Sequence, residues 1–176
     1  MSQVNNQVSL EALLENVLFV VSQPLSFEKL WELCADFPSV TRDVLQQCLN
    51  HLLKKYESHA IELKKLPGGY VMQTRLQYAP WIQKLVLEKP RKYSQAFLEV
   101  LAIIAYDQPV TRADIEQKRG VAIAPHMIKT LIEREWVKVV GYKDAPGKPA
   151  LYATTTTFLD YFNLSSLDEL PTTQVE

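Results

Sequence analysis

Cysteine, histidine and glycine are all scarce in this chain, and each scarcity closes off a class of chemistry. Its 176 residues hold two cysteines, three histidines and five glycines. Cys34 and Cys48 are too far apart for a C-x-x-C pair, and His51, His59 and His126 complete no ligand set with them, so neither a redox couple nor a zinc site is expected. Buried or half-buried thiols in a reducing compartment fit better. The glycines make no phosphate loop. Gly141 precedes Gly147-Lys148 by one residue too many, and Pro149 stands where a Ser or Thr would hold magnesium, removing a backbone N–H as well. There is no G-x-S-x-G, no H-E-x-x-H and no dinucleotide-binding glycine pattern. With no nucleophile–base pair in view, the chain is expected to be a non-enzyme that uses no cofactor and no metal.

Charge of one sign is also lacking. Nineteen Lys/Arg face twenty Asp/Glu for a net charge of −1, split nine against nine in residues 1–90 and ten against eleven in the rest. A protein held mainly by phosphate contacts usually carries a basic excess or stripe. No apolar run approaches the roughly 20 residues needed to span a bilayer. Met1–Gln7 is polar and uncharged, unlike a signal peptide, so a cytoplasmic protein without membrane attachment is expected.

What is present is a sequence that repeats itself. Gln23-Pro24-Leu25-Ser26, entered from an apolar run at Val17–Val21, returns as Gln108-Pro109-Val110-Thr111, entered from Leu101–Ala105. Leu30 then matches Ile115 at the same offset of 85 positions, too long for a solenoid repeat and suited to two related small domains. In the first copy, Leu10, Leu13, Leu14, Val17, Leu18 and Val21 recur at helical spacing, and Pro24 stops that helix. Ser26 is expected to cap a second helix through Phe27, Leu30, Trp31 and Leu33. Pro38-Ser39 would open a third, with Val40, Val44, Leu45, Cys48, Leu49, Leu52, Leu53 and Tyr56 on its apolar stripe. Alternating Ile61–Leu66 and Tyr70–Thr74 flank Pro67-Gly68-Gly69, a β-hairpin signal. A last helix runs through Tyr78, Trp81, Ile82, Leu85 and Val86.

The second copy follows the same order. Ser94 caps a helix carrying Phe97, Leu98, Val100, Leu101, Ile103, Ile104 and Ala105. Thr111 and Asp114 fit a capping box, Gly120 a left-handed helix end, and Pro125 the first turn of a third helix with Met127, Ile128, Leu131 and Ile132 inward. Trp136–Gly141 and Ala150–Thr154 read as hairpin strands around the tip Asp144–Pro149, and Thr157 starts a final helix. Three helices followed by a hairpin make a winged helix. The expected fold is therefore α+β, mostly helical: two tandem winged-helix domains related by internal duplication. Their bounds are read as 8–87 and 94–170, with a linker at 88–93 and a disordered tail at 171–176.

Two helices are more apolar than a surface helix should be. Around Gln95–Tyr106 only Gln95 and Glu99 are clearly polar, so one side is expected in the domain core and the other against a neighbouring domain, a second copy or a foreign chain. The first helix, with Phe19 and Val20 beside its stripe, suggests a self-association face. The third helices are the DNA readers of such a fold. Outward on the first are Arg42, Asp43, Gln46, Gln47, Asn50, His51, Lys54 and Lys55; on the second are His126, Lys129, Thr130 and Glu133. The first is weakly equipped for base contacts and the second poorly so. Arg112, Lys118 and Arg119 cluster by the second helix of the second copy, which leaves a winged-helix DNA-binding transcription regulator as the alternative function.

The second copy also carries longer motifs. Glu99–Tyr106, Gln108–Arg112, Arg119-Gly120-Val121, Val139-Val140-Gly141, Pro146–Pro149, Leu151–Thr155, Phe158–Phe162 and Leu167–Pro171 together closely resemble the segregation and condensation protein B family. In the first copy Pro67–Tyr70, Gln73–Arg75 and Tyr78–Pro80 fit the same pattern, so the resemblance covers nearly the whole chain. It departs at Asp107, where a basic residue is common, at Gln117-Lys118, which replaces a more apolar pair, and at Lys148, in place of a frequent arginine. Relatives often continue past Pro171 in a longer acidic tail, so no role of that tail transfers here.

The resemblance implies an adaptor that forms a homodimer through its N-terminal winged helix. It grips the kleisin subunit, segregation and condensation protein A, and through it meets the SMC ATPase indirectly. Such an assembly supports chromosome condensation, partition and cell division on the nucleoid, touching DNA weakly or through the complex. On that basis kleisin contact is expected at Phe97, Val100, Ile104, Tyr106, Arg112, Arg119 and Tyr142, and a dimer seam at Leu13, Leu14, Val17 and Phe19.

Overall fold

The computed structural model describes residues 9–35, 37, 40–85 and 93–171. Pro38-Ser39, Val86, linker residues 88–92 and tail residues 172–176 lie outside the described residues. The chain divides into two compact units, Met1–Glu88 and Lys89–Glu176, each mostly helical with a small antiparallel sheet.

In the first unit three helices start at hydroxyl caps. The Ser9 hydroxyl accepts from the Ala12 N–H ahead of α1 (Leu10–Val20), and Ser26 accepts from Lys29 ahead of α2 (Phe27–Leu33). Thr41 accepts from Val44 ahead of α3 (Arg42–Lys55), so α3 opens later than expected and Val40 precedes it. Each cap satisfies an N–H that the helix itself leaves unpaired. Strands β1 (Ile61–Leu66) and β2 (Gly69–Thr74) pair with Leu66 opposite Gly69, which makes Pro67-Gly68 the turn rather than the two glycines. A short helix, α4 (Ala79–Leu85), follows. Leu14, Leu18, Leu30, Leu45, Leu49, Leu52 and Tyr70 form the core, each at most 2% exposed. Burial of each leucine contributes about 2 kcal/mol, the main force holding three short helices on the hairpin. Val44, expected on the stripe of α3, is 41% exposed. Cys34 is buried and Cys48 half-buried, and burial pushes both thiols above their ordinary pKa.

The second unit holds α5 (Gln95–Asp107), β3 (Val110–Thr111), α6 (Arg112–Arg119), α7 (Pro125–Glu133), β4 (Val137–Tyr142), β5 (Ala150–Thr154) and α8 (Thr156–Tyr161). Its sheet order is β3-β5-β4, with a bulge between Val139 and Gly141. Thr111 and Asp114 form the reciprocal capping box, and Gly120 ends α6 at φ 71°. Pro125 occupies the first turn of α7. Two expectations are corrected. Ile132 is 40% exposed rather than inward, and α8 begins at Thr156 under a Thr155 cap. Tyr93, assigned to the linker on sequence, stacks on Phe97 with ring centroids 5.4 Å apart and meets the Trp136 ring at the same distance.

The repeated Gln-Pro step leads to the same arrangement in both units. Leu25 exchanges two backbone hydrogen bonds with Tyr70 of β2, at 2.9 and 2.8 Å, and Val110 pairs with Tyr152 of β5. The first contact depends on Gly69. At φ 139° a side chain is disfavoured, and a Cβ there would sit 2.0 Å from the Leu25 carbonyl oxygen.

Candidate functional site

Helix α5 presents two apolar faces. The first is core: Phe97, Val100, Leu101, Ile104 and Ala105 are all buried. Val100 and Ile104 have no exposed surface at all and Phe97 has little, so these three expected kleisin contacts are corrected to core residues. The second face carries Leu98, Ala102 and Tyr106, and it opens onto a groove of about 430 Å³. Opposite stand Phe158, Phe162, Leu164, Leu170 and Pro171. The Tyr106 hydroxyl donates to the Pro171 carbonyl at 2.6 Å and ties that wall to the helix.

The other expected contacts are spread over the unit rather than gathered. Arg112 donates through Nε to Glu116 Oε1 at 2.9 Å and through Nη2 to the Ile123 carbonyl at 2.6 Å. Glu116 Oε1 also accepts from the Ile123 N–H, so the three residues brace the loop after α6. That N–H first, and Arg112 second, hold the Glu116 carboxyl below its ordinary range. Arg112 lines a second cavity with Ile128, Ile132 and Tyr152. The Arg119 side chain is only 8% exposed and is spent on Glu99 Oε2 at 3.2 Å. Tyr142 is 69% exposed and lines a third cavity with Lys143, Asp144 and Lys148 at the hairpin tip. Tyr106, Arg112 and Tyr142 therefore each face a different hollow.

The basic cluster considered for DNA is neutralised from within. Arg112 pairs with Glu116, Lys118 with Asp107 at 2.5 Å, and Arg119 with Glu99. On α3, Arg42 makes two bonds to Glu28 at 2.9 and 2.6 Å and lies over the Phe27 and Trp31 rings. Lys55 bonds Glu11 and Glu15, each at 2.7 Å, and these carboxylates raise its pKa above the usual lysine range. Cations already satisfied by carboxylates make poor phosphate ligands, because each pair must first be broken.

In the first unit the expected dimer residues divide. Leu14 is 1% exposed and is corrected to core; Leu13 and Val17 are half-buried. Phe19 and Val20 are 72% and 80% exposed. Sequence reasoning missed a second exposed set at Leu76, Trp81 and Leu85, because an amphipathic stripe does not say whether its apolar side has a core to meet. Helix α4 buries none of its residues. Among the described residues no cluster of His, Cys, Asp and Glu could hold a metal ion, and no helix is long and apolar enough to cross a membrane.

Comparison with known proteins gives the family of the chain. The chain is 44% identical over 171 residues to a segregation and condensation protein B homolog of Coxiella burnetii, covering 97% of this chain and 80% of that one. It is 41% identical over 166 residues to segregation and condensation protein B of Syntrophotalea carbinolica, covering 94% and 82%. Among solved structures, ScpB from Mycobacterium tuberculosis matches at 32% identity over 88% of this chain and 95% of that one, with a TM-score of 0.38. Residues 12–173 match the model of the segregation and condensation complex subunit ScpB, and with both units inside that match the chain belongs to the ScpB family.

Proposed function

We propose that this chain is a non-enzymatic adaptor built of two tandem winged helices, which dimerises and binds the kleisin subunit of an SMC complex. The observation that carries the reading is the family match across both units, residues 12–173. Three helices and a hairpin in each unit, with a repeated Gln-Pro step entering the strand contact, support the duplicated winged-helix description. The first unit, residues 8–87, supplies the dimer seam through Phe19 and Val20, flanked by half-buried Leu13 and Val17. The second, residues 94–170, takes the kleisin at Tyr106, Arg112 and Tyr142, with Arg119 holding α6 against α5. ATP hydrolysis belongs to the SMC partner, and contact with the nucleoid runs through the assembled complex.

The test is recovery of tagged protein from nuclease-treated native lysate, followed by light scattering on the purified material. The expected result is a dimer that retains kleisin and SMC subunits after the DNA is digested. Retention of partners only with intact DNA would overturn the reading in favour of a DNA-binding regulator.

A further inference from the structure

The groove along α5 has a chemistry of its own. Its floor is Leu98, Leu101, Ala102, Ala105 and Tyr106, an i, i+3, i+4, i+7, i+8 stripe about 12 Å long. Lining surface on both sides is overwhelmingly carbon, yet Leu98 and Tyr106 are each 42% exposed. The far wall is fixed in place, through the Tyr106–Pro171 bond at its end and the Leu164 N–H donating to the Leu159 carbonyl at 2.8 Å. An apolar hollow that the unit builds and leaves open marks a place where another chain docks.

Charge narrows the occupant. From Pro149 to Glu176 the sequence has no Lys or Arg; Glu169 lines the far wall, and Asp168 precedes it in the chain. Helix α5 likewise has only Glu99 and Asp107, both of which pair with α6. The charge at the groove itself is therefore acidic and comes from the far wall, where Glu169 is its charged lining residue. No strand residue lines it, so an incoming chain finds no sheet edge to pair with and must satisfy its own backbone, which a helix does.

We propose that this groove binds an amphipathic helical segment of a partner protein, with aliphatic anchors on one face and Lys or Arg on its flanks. The proposal rests on the adaptor reading in taking the partner to be a protein, and it adds the chemistry of the segment. Two turns of helix laid on the floor place two or three anchors against Leu98, Ala102 and Tyr106, while the basic flanks meet Glu169 on the far wall. Electrostatic complementarity of this kind selects the partner and sets its register more than it supplies affinity.

The experiment measures fluorescence anisotropy of two designed helical peptides on the full chain, with identical leucine faces and either lysine or glutamate flanks. The lysine-flanked peptide is expected to bind about tenfold more tightly at low salt, with the gap narrowing as salt is raised. Ala102→Glu, at an exposed position, is expected to weaken it by about tenfold or more with an unchanged thermal melt, and Glu169→Lys to erase the preference between flanks. Equal binding of both peptides by the unmodified chain, or none, would overturn the proposal whatever the variants do. Loss of the dimer in Ala102→Glu would overturn it too, assigning the groove to a second copy. Kleisin recovery is scored in parallel. If kleisin is retained while neither peptide binds, the groove assignment fails and the adaptor reading stands; if kleisin is absent from the unmodified protein, the adaptor reading itself fails.

Discussion

Replacing Asp114 by asparagine tests how α6 is held, and the effect can be worked from the capping box. One carboxylate oxygen, Oδ2, accepts from the Thr111 N–H at 2.9 Å and from the Thr111 hydroxyl at 2.7 Å, while Oδ1 accepts from Lys143 at 3.2 Å. The Thr111 side chain is buried and in return accepts from the Asp114 N–H at 3.2 Å. Asparagine keeps the shape but loses the charge, so two charge-assisted bonds become neutral ones of about half the strength. Caps of this kind are worth about 1 kcal/mol, and the Lys143 pair, 53% and 33% exposed, adds only a few tenths. The expected loss is about 1–2 kcal/mol at neutral pH, or roughly 5–10 °C in the melting temperature of a unit this size.

The same interactions set a pH dependence. The Thr111 N–H chiefly, then its hydroxyl, hold the Asp114 carboxyl down from 3.8 to about 2. A depressed carboxylate stabilises the folded state above its unfolded pKa, and that stability is lost as pH falls toward the folded value. The gap between Asp114→Asn and the parent protein should therefore be full at neutral pH and close between about pH 4 and pH 2. Circular dichroism melts across that range measure it. Thr111→Val removes the other half of the box, and the double variant should lose less than the sum of the two. Parity at pH 7, or a gap that ignores pH, would refute the argument.

Three further outcomes follow from burial and close approach. Gly69→Ala should destabilise the first unit by at least about 3 kcal/mol in urea denaturation, since the new Cβ meets the Leu25 carbonyl at a backbone conformation alanine avoids. Ile104→Ala should cost about 2–5 kcal/mol by leaving a cavity, with kleisin affinity of the folded fraction unchanged in calorimetry; a selective loss of affinity would restore Ile104 to the contact surface. Phe19→Lys should leave stability within about 0.5 kcal/mol while weakening the dimer in light scattering, whereas Leu14→Lys should unfold the unit, because only Phe19 has surface to give.

The corrected site residues show where sequence reasoning stops. An apolar helix such as α5 announces that it will be covered on two sides, and the structure bears out that it has two apolar faces. It does not announce which face meets its own core. Val100 and Ile104 went inward because Val110, Ile115, Leu131 and Phe158 pack there. Leu98, Ala102 and Tyr106, one step round the same helix, were left for the groove. The basic cluster on α6 was legible as charge but not as paired charge, since Glu99 and Asp107 lie on another helix. Strand β3, at two residues, is too short to show alternation.

The sequence by itself determined the features whose partners lie within a turn or two of chain: the hydroxyl caps at Ser26, Ser94 and Thr111, the glycine end of α6, the proline start of α7 and the two hairpins. Each is decided by local geometry, so residue type and spacing suffice. The tertiary structure alone decided which apolar faces are spent and which cations remain available. Arg75 illustrates why. Its one guanidinium collects the carbonyls of Tyr56, Glu57 and His59 and the carboxylate of Glu62, partners 13 to 19 positions away. Nothing in the spacing of those residues specifies the bonds, because they exist only once α3 and the hairpin have packed and brought the acceptors to one point.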